Sequence, residues 1–222
     1  MPLHTAEAFV LRTWPLKESD KIVSFFTREF GKVRGVARGA RRPKSKYGSS
    51  LEPLSQIRVQ YFARENRDLA NLDHADLLQP SPQLPLAVAA GNLLHSMAVS
   101  VMVEVADRML PEHEASDSIY RLLLSVSPAL RSAPEPAAWL PFTYYLYWMV
   151  RLGGFLPPLE STEPGLADLA GAIARTALER LPLQSEAAGL PGRLLRQKLK
   201  WCIEDHLEAR LLSWPMLASL DA

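Results

Sequence analysis

The hydrophobic pattern of this chain changes its period once, and this change constrains the fold more than any other feature. Before residue 79 the apolar residues fall in short runs, and Gln56–Phe62 alternates apolar with polar side chains, which is typical of a half-buried strand. Beyond residue 85 they recur with a helical period. The proline-rich segment Gln79–Pro85 lies between and favours a domain boundary. We therefore predict an α+β chain, with a strand domain over 1–79 and an all-helical domain over 80–222.

Five short runs in the first domain are rich in β-branched and aromatic residues and are separated by turn-prone segments. Five strands in a domain of this size suit a small barrel. The predicted strands are Ala6–Arg12, Lys21–Phe26, Val33–Ala37, Gln56–Phe62 and Leu69–Leu78.

The second domain contains five helical segments whose ends lie close to proline or glycine. Pro136 suits the first turn of a helix, and Gly153 suits a C-terminal cap. The predicted helices are Leu86–Leu110, Ser116–Ser127, Pro136–Leu152, Gly165–Leu181 and Leu190–Leu212.

Charge is unevenly distributed along the chain, although the formal net charge is only +1. Residues 1–78 carry 14 Lys and Arg against 9 Asp and Glu, whereas residues 79–222 carry 11 against 15. A basic half joined to an acidic half directs the search for a nucleic-acid site to the strand domain.

Three features of the sequence bear on the cellular compartment of the protein. The single cysteine, Cys202, excludes an intramolecular disulfide and a multi-cysteine zinc site. The first residues lack the basic and apolar regions of a signal peptide. The longest apolar stretch, Leu86–Val103, contains polar residues that are costly in lipid, so we interpret it as a buried helix. These features predict a cytoplasmic protein without a membrane partner.

The segment Arg28–Lys46 carries eight basic residues against one acid, Glu29, and has glycines among them. Lys and Arg displace condensed counterions from nucleic acids, and Arg can hold a phosphate with two donors. Because Val33 and Gly35 must face the other way, Arg34 is expected to point outward from its strand. The predicted DNA-binding residues are Arg28, Lys32, Arg34, Arg38, Arg41, Arg42, Lys44, Lys46 and Tyr47.

Aromatic side chains in the strand domain could stack on bases, as they do in OB-folds. The candidates are Trp14, Tyr47, Tyr61 and Phe62. For each of them the alternative is an ordinary position in the hydrophobic core. Tyr47 is expected to be exposed because it lies between Lys46 and Gly48. Phe25, Phe26 and Phe30 are expected in the core.

Other interpretations of the basic segment stay open. A charged run is often only a solvated loop, and such a loop could also contact an acidic protein partner, which would make the chain an interaction scaffold. A nucleic-acid enzyme is disfavoured, since no carboxylate cluster for metals and no phosphate-binding or hydrolase motif occurs. Cys202 and His206, four residues apart beside Asp205, could form a two-ligand site or a nucleophile pair, but they fit an ordinary amphipathic helix better. We predict no catalysis, no cofactor and no metal.

Several short motifs resemble the RecO family of recombination mediators in order and spacing. In the first domain they are Val10-Leu11-Arg12, Glu18-Ser19-Asp20, Phe26-Thr27, Gly31–Arg34, Gly39–Lys44 and Leu51–Leu54. In the second domain Glu135-Pro136 and Leu152-Gly153-Gly154-Phe155 are similar to a family stretch, though more faintly.

This resemblance implies an N-terminal OB-fold and a helical C-terminal domain in a bacterial, nucleoid-associated protein. It also implies the function of the family, which is DNA repair and recombination. Members bind single- and double-stranded DNA, act on SSB-coated strands, cooperate with RecR, and promote RecA loading and strand annealing.

The chain departs from the family pattern in two places. Phe155–Leu166 contains no cysteine where many members carry a four-cysteine zinc module, so no zinc is expected. The chain has Trp139-Leu140-Pro141 where family members often carry arginines, which the resemblance implies would help to hold the acidic tail of SSB. The tail is therefore expected to bind weakly, and the remaining candidate cations are Arg151, Arg193, Arg196, Lys198 and Lys200.

Overall fold

The computed structural model describes residues 2–63, 69–83, 93–159, 165–182 and 184–221. The chain forms two compact units. The barrel unit contains residues 1–81 and 106–120, and the helical unit contains residues 82–105 and 121–222. The domain boundary at residue 79 stays a prediction.

The barrel unit is a closed five-stranded barrel with the strand order β1-β2-β3-β5-β4, which confirms the predicted fold. β3 and β5 pair in parallel, and the other neighbouring strands pair antiparallel. The strands are β1 (Leu3–Leu16), β2 (Asp20–Thr27), β3 (Gly31–Ala37), β4 (Gln56–Phe62) and β5 (Ala70–Gln79).

The first strand is longer than predicted because it pairs with two neighbours in succession. Its beginning pairs with β4, up to Phe9, and its later part pairs with β2 from Ala8 onward. The register shifts between Val10 and Arg12, as at a β-bulge. A bulge changes which residues face outward, so local alternation could not indicate the full length of β1.

Side chains alternate across the barrel wall as a pleated sheet requires. Val23, Phe25 and Val33 lie in the core inside the barrel. The predicted core positions of Phe25 and Phe26 are confirmed by their complete burial, whereas Phe30 is 37% exposed. Phe30 was wrongly expected in the core, because it lies in the turn before β3 rather than on a strand.

Residues 106–120 belong to the barrel unit because they bond to the outer side of β2 and β3. The Ser24 hydroxyl donates to Asp107 Oδ1 at 2.7 Å, and the Lys32 ammonium donates to the Asp107 carbonyl at 2.5 Å. The backbone also approaches closely, since a Cβ on Gly31 would lie 2.3 Å from the Glu114 carbonyl oxygen. Gly31 has φ +67°, which also favours glycine there.

The remaining part of the described chain is helical. Residues 86–92 of the first predicted helix lie outside the described residues. The helices are α1 (Leu93–Met109), α2 (Asp117–Ser132), α3 (Trp139–Leu152), α4 (Leu166–Arg175), α5 (Gln184–Ala188), α6 (Leu190–His206) and α7 (Trp214–Ala218), with 3₁₀ turns at Pro136–Ala138 and Leu178–Arg180. None of the described helices is long and apolar enough to cross a bilayer.

Several helix ends differ from the prediction for local reasons. α2 continues through Pro128, which is exposed, because its apolar face goes on to the fully buried Leu130. α4 ends early because Thr176 adopts an extended backbone. α6 ends at His206 rather than Leu212. The five-residue helices α5 and α7 were not predicted, since they are too short to show a period.

Candidate nucleic-acid interface

The basic loop, defined as residues 38–46, begins where β3 ends and consists of successive tight turns. Backbone hydrogen bonds join Arg42 N–H to the Gly39 carbonyl at 3.1 Å and Ser45 N–H to the Arg42 carbonyl at 3.0 Å. Arg38, Arg42 and Lys44 are exposed. None of these three forms an ion pair with an acidic residue in the described part of the chain. They therefore present unneutralised cations to solvent, as phosphate binding requires.

The start of the basic loop is bonded to the turn between β1 and β2. The Gly39 N–H donates to Asp20 Oδ1 at 2.8 Å, and the Arg41 N–H donates to the Ser19 carbonyl at 2.9 Å. The Arg41 guanidinium donates to the Lys17 carbonyl at 3.0 Å. One nitrogen of Arg41 is thus already engaged by the protein, whereas the side chains of Arg38, Arg42 and Lys44 donate no such bond within the described ranges.

Tyr47 follows the basic loop and lies inside the barrel, so the prediction that it is exposed is wrong. Only 3% of its surface is accessible, and its hydroxyl donates to the Leu72 carbonyl at 2.9 Å. Burial raises its pKa to about 12. The loop turns back over the end of the barrel and inserts this ring, which its charged neighbours in the sequence did not indicate. Tyr47 is therefore an anchor of the loop and not a stacking platform.

Lys32 was also predicted to bind DNA, but its side chain is buried. Its ammonium is bonded to the Asp107 carbonyl, and desolvation lowers its pKa. Lys32 faces the outside of β3, as alternation requires, but residues 106–120 cover it. The sequence pattern could indicate the face of the strand but not what lies on that face.

Three further predicted residues are exposed and form ion pairs. Arg34 points outward as predicted, and its Nε lies 3.0 Å from Glu112 Oε1. Arg28 Nη2 lies 2.8 Å from Asp117 Oδ1, and Lys46 Nζ lies 3.9 Å from an oxygen of Asp73. Exposed pairs of this kind contribute about 0–1 kcal/mol, so a phosphate could replace the acid at little cost.

A row of three partly exposed apolar side chains crosses the outer face of the barrel. Trp14 on β1 pairs with Ile22 on β2, and Ile22 pairs with Val36 on β3. The guanidinium carbon of Arg12 lies 5.2 Å from the centre of the Trp14 ring. In OB-folds the face of strands 2 and 3 and the loop between strands 1 and 2 bind oligonucleotides. Trp14 is thus the candidate aromatic that this surface presents, whereas the Tyr61 ring is buried in the barrel core.

Arg12 was not among the predicted site residues. Arg12 and Trp14 lie two residues apart on one strand, so the strand period could have placed them on one face. The hydrogen bond between Asp20 and the Gly39 N–H could not be found in this way, since the two residues lie 19 positions apart in the chain.

Comparisons with known proteins agree with this architecture. The family model described as Recombination protein O N terminal matches residues 1–81, and the model described as Recombination protein O C terminal matches residues 91–202. The chain belongs to the RecO family. A protein named DNA repair protein RecO from Koribacter versatilis (strain Ellin345) is 34% identical to it over an aligned length of 251 residues. The alignment covers 99% of this chain and 100% of that protein.

Other RecO proteins match a smaller part of the chain. DNA repair protein RecO of Bifidobacterium animalis subsp. lactis (strain AD011) is 37% identical over 160 residues, which cover 68% of this chain and 64% of that protein. The protein of that name from Geobacter metallireducens is 40% identical over 119 residues, which cover 54% of this chain and 46% of that protein.

The cations expected to hold a partner of this RecO chain do not form one exposed group. Arg196 is completely buried, so its assignment to an accessible peptide site is wrong. Its guanidinium is bonded to Asp221, Thr143 and the Ala187 carbonyl and stacks on the Trp139 ring at 4.1 Å. An amphipathic pattern cannot distinguish a solvated arginine from one that pairs with a distant acid.

The other predicted partner-binding residues have varied surroundings. Arg151 is exposed and lies over the Trp148 ring at 5.0 Å. Lys200 is paired with Glu204 at 2.6 Å. Arg193 and Lys198 are half-buried on α6. Of the five, Arg151 is the most accessible, and its role stays a prediction.

Cys202 and His206 fit the packing interpretation rather than a reactive site. Cys202 is buried, and desolvation raises the pKa of its thiol. The His206 ring stacks on Phe155 with centroids 4.1 Å apart. Within the described ranges, no three His, Cys, Asp or Glu side chains are grouped as a metal site.

Proposed function

We propose that this chain is a DNA-binding recombination mediator in DNA repair, that it binds single- and double-stranded DNA through the barrel unit, and that it has no catalytic chemistry. The observation that supports this most directly is the basic loop, where Arg38, Arg42 and Lys44 are exposed and form no ion pair with any acid that the structure describes. The relatives named DNA repair protein RecO support the same role.

Phosphates would contact the basic loop, and this contact is available to both forms of DNA because each carries a charged backbone. Unpaired bases of a single strand could in addition stack on Trp14, whose ring lies beside the cation of Arg12. The proposed site therefore combines a sequence-independent electrostatic contact with an aromatic contact specific for single strands.

The partners of the proposed function come from the family. We propose that the chain acts with RecR on SSB-coated strands, promotes RecA loading and strand annealing, and binds the SSB tail weakly. The weak tail contact is proposed because Trp139-Leu140-Pro141 stands where family members often carry arginines, and because Arg196 is already paired.

An acidic protein is the alternative partner of the basic loop. An acidic protein surface and a phosphate backbone attract the same cations, so the two hypotheses differ in the response to bare oligonucleotides. Counterion release makes DNA affinity fall steeply with salt, with a log–log slope of about −0.7 to −0.9 per neutralised phosphate.

Fluorescence anisotropy with labelled single- and double-stranded oligonucleotides at several salt concentrations tests the proposal. The double variant Arg42→Ala with Lys44→Ala should bind both DNAs more weakly, and its salt slope should be less steep by roughly 1.4 to 1.8 for two lost contacts. The matched control is Arg175→Ala with Arg180→Ala, which removes the same charge from exposed positions of the helical unit. Equal behaviour of the two folded variants would contradict the proposed function and favour a protein partner.

A further inference from the structure

One acidic side chain, Asp20, is bonded directly to the start of the basic loop. We propose that Asp20 is a positioning residue of the DNA site: its carboxylate holds the basic loop in the conformation that binds phosphate, so that this acid strengthens DNA binding although its own charge repels DNA. The inference rests on the proposed DNA-binding function and adds a residue to that site.

The bonds between the turn and the loop form one small network. Asp20 Oδ1 accepts the Gly39 N–H at 2.8 Å and the Ser19 hydroxyl at 3.0 Å. Next to it, the Ser19 and Lys17 carbonyls accept the backbone and the guanidinium of Arg41. Three hydrogen bonds thus join the turn to the first residues of the loop. Two of them are charge-assisted, namely the bond that the Asp20 carboxylate accepts and the bond that the Arg41 guanidinium donates. Only the first depends on an acidic side chain.

The other end of the loop is held by the barrel core. Tyr47 is inserted between the strands and bonded to the Leu72 carbonyl. The exposed Arg42 and Lys44 lie between these two attachments. A loop that is held at both ends loses less conformational entropy when it binds, because its backbone is already ordered. Release of the Asp20 end should therefore weaken binding without removing any cation.

The charge state of Asp20 suits this role over the whole neutral range. The Gly39 N–H, followed by the Ser19 hydroxyl, lowers the pKa of the Asp20 carboxyl below its ordinary value of 3.8, and the Arg38 and Lys17 charges act in the same direction. A lowered pKa means that the contact is present above about pH 4 and is lost only as the pH falls below that value. The contact is thus constant at the pH of any DNA-binding assay.

Simple electrostatics gives the opposite expectation. Loss of an acid from a basic surface should strengthen DNA binding, since the surface potential becomes more positive. Glu18 provides a matched control, because it is an exposed acid in the same turn and none of the described bonds joins its side chain to the loop. The two residues should therefore respond in opposite directions.

The experiment compares the full chain with Asp20→Ala, Asp20→Leu and Glu18→Ala in anisotropy titrations with a single-stranded oligonucleotide. We expect Asp20→Ala to bind about tenfold more weakly, as for the loss of one charge-assisted hydrogen bond. Glu18→Ala should bind as tightly as the unaltered chain or more tightly. Hydrogen exchange of the Gly39 amide, followed by NMR, should become faster in Asp20→Ala and stay unchanged in Glu18→Ala.

Each failure has a separate signature. Binding by Asp20→Ala that equals or exceeds that of Glu18→Ala would overturn the positioning role. If Asp20→Ala does not fold, as judged by circular dichroism, the same comparison with Asp20→Leu decides, since leucine has a similar shape but no hydrogen-bond acceptor for the Gly39 N–H. Absence of DNA binding by the unaltered chain would instead overturn the proposed function.

Discussion

The guanidinium of Arg196 and the carboxylate of Asp221 form a two-point ion pair inside the helical unit, with Arg196 Nε donating to Asp221 Oδ2 at 2.9 Å. Desolvation lowers the pKa of Arg196, and the bond and charge of Asp221 oppose that effect. Thr143 and the Ala187 carbonyl accept two further bonds from Nη1. This pair fastens the segment that follows α7 to α6.

Removal of one partner should be costly, because it leaves the other charge buried without compensation. Asp221→Ala should lower the free energy of unfolding by about 3–5 kcal/mol. The double variant Arg196→Met with Asp221→Ala should recover much of that loss, since no buried charge is left. Urea unfolding followed by circular dichroism measures both. A midpoint for Asp221→Ala equal to that of the unaltered chain would show that the pair is unimportant for stability.

Tests of SSB tail binding should use accessible cations. Arg196→Glu should destabilise the helical unit, so a lost contact in that variant would be uninformative. Arg151→Glu should weaken an already weak interaction several-fold by charge repulsion, whereas Arg175→Glu should not. Calorimetry with a synthetic tail peptide measures the effect. Tight binding that Arg151→Glu leaves unchanged would place the peptide elsewhere.

Trp14 should distinguish single from double strands. Trp14→Ala should weaken single-strand binding by about 1–3 kcal/mol, the range found for base–aromatic stacking. Duplex binding should change less, since paired bases are not available to the ring. Trp201→Ala is the matched control, because Trp201 is 62% exposed and belongs to the helical unit. Equal losses for both DNAs in anisotropy titrations would argue against stacking.

Alkaline titration should reveal the buried tyrosines of the barrel unit. Burial raises the pKa of Tyr47, Tyr61 and Tyr120 to about 12, above the ordinary value of about 10. The folded state therefore holds their protons more firmly than the unfolded state, so their contribution to stability is complete below about pH 10 and is lost as the pH rises towards 12. Phenolate absorbance and circular dichroism, recorded together, should show late titration coupled to unfolding. Complete titration of all tyrosines near pH 10 in a folded chain would contradict the burial.

Strands and helices could be predicted where one element buries one face. β4 agrees with its prediction at both ends because Ile57, Val59 and Tyr61 alternate towards the core. Prediction failed where a residue depends on a distant partner. Lys32 has the pattern of an exposed strand residue, yet residues 106–120 cover it, and Tyr47 lies in a polar segment, yet it fills the barrel.

The sequence by itself determined the architecture of this protein: a strand-rich first part, a helical second part, the basic segment Arg28–Lys46, and membership of the RecO family through short motifs. These properties depend on the spacing of apolar residues, on the distribution of charge and on the order of short motifs, all of which can be read directly from the sequence. Only the tertiary structure decided which cations are free, because exposure depends on contacts between residues far apart in the chain. Asp107 lies against Lys32, Asp221 against Arg196, and Asp20 against Gly39. No local pattern records those pairings, and they leave Arg38, Arg42 and Lys44 among the exposed cations of the barrel unit that form no ion pair in the described part of the chain.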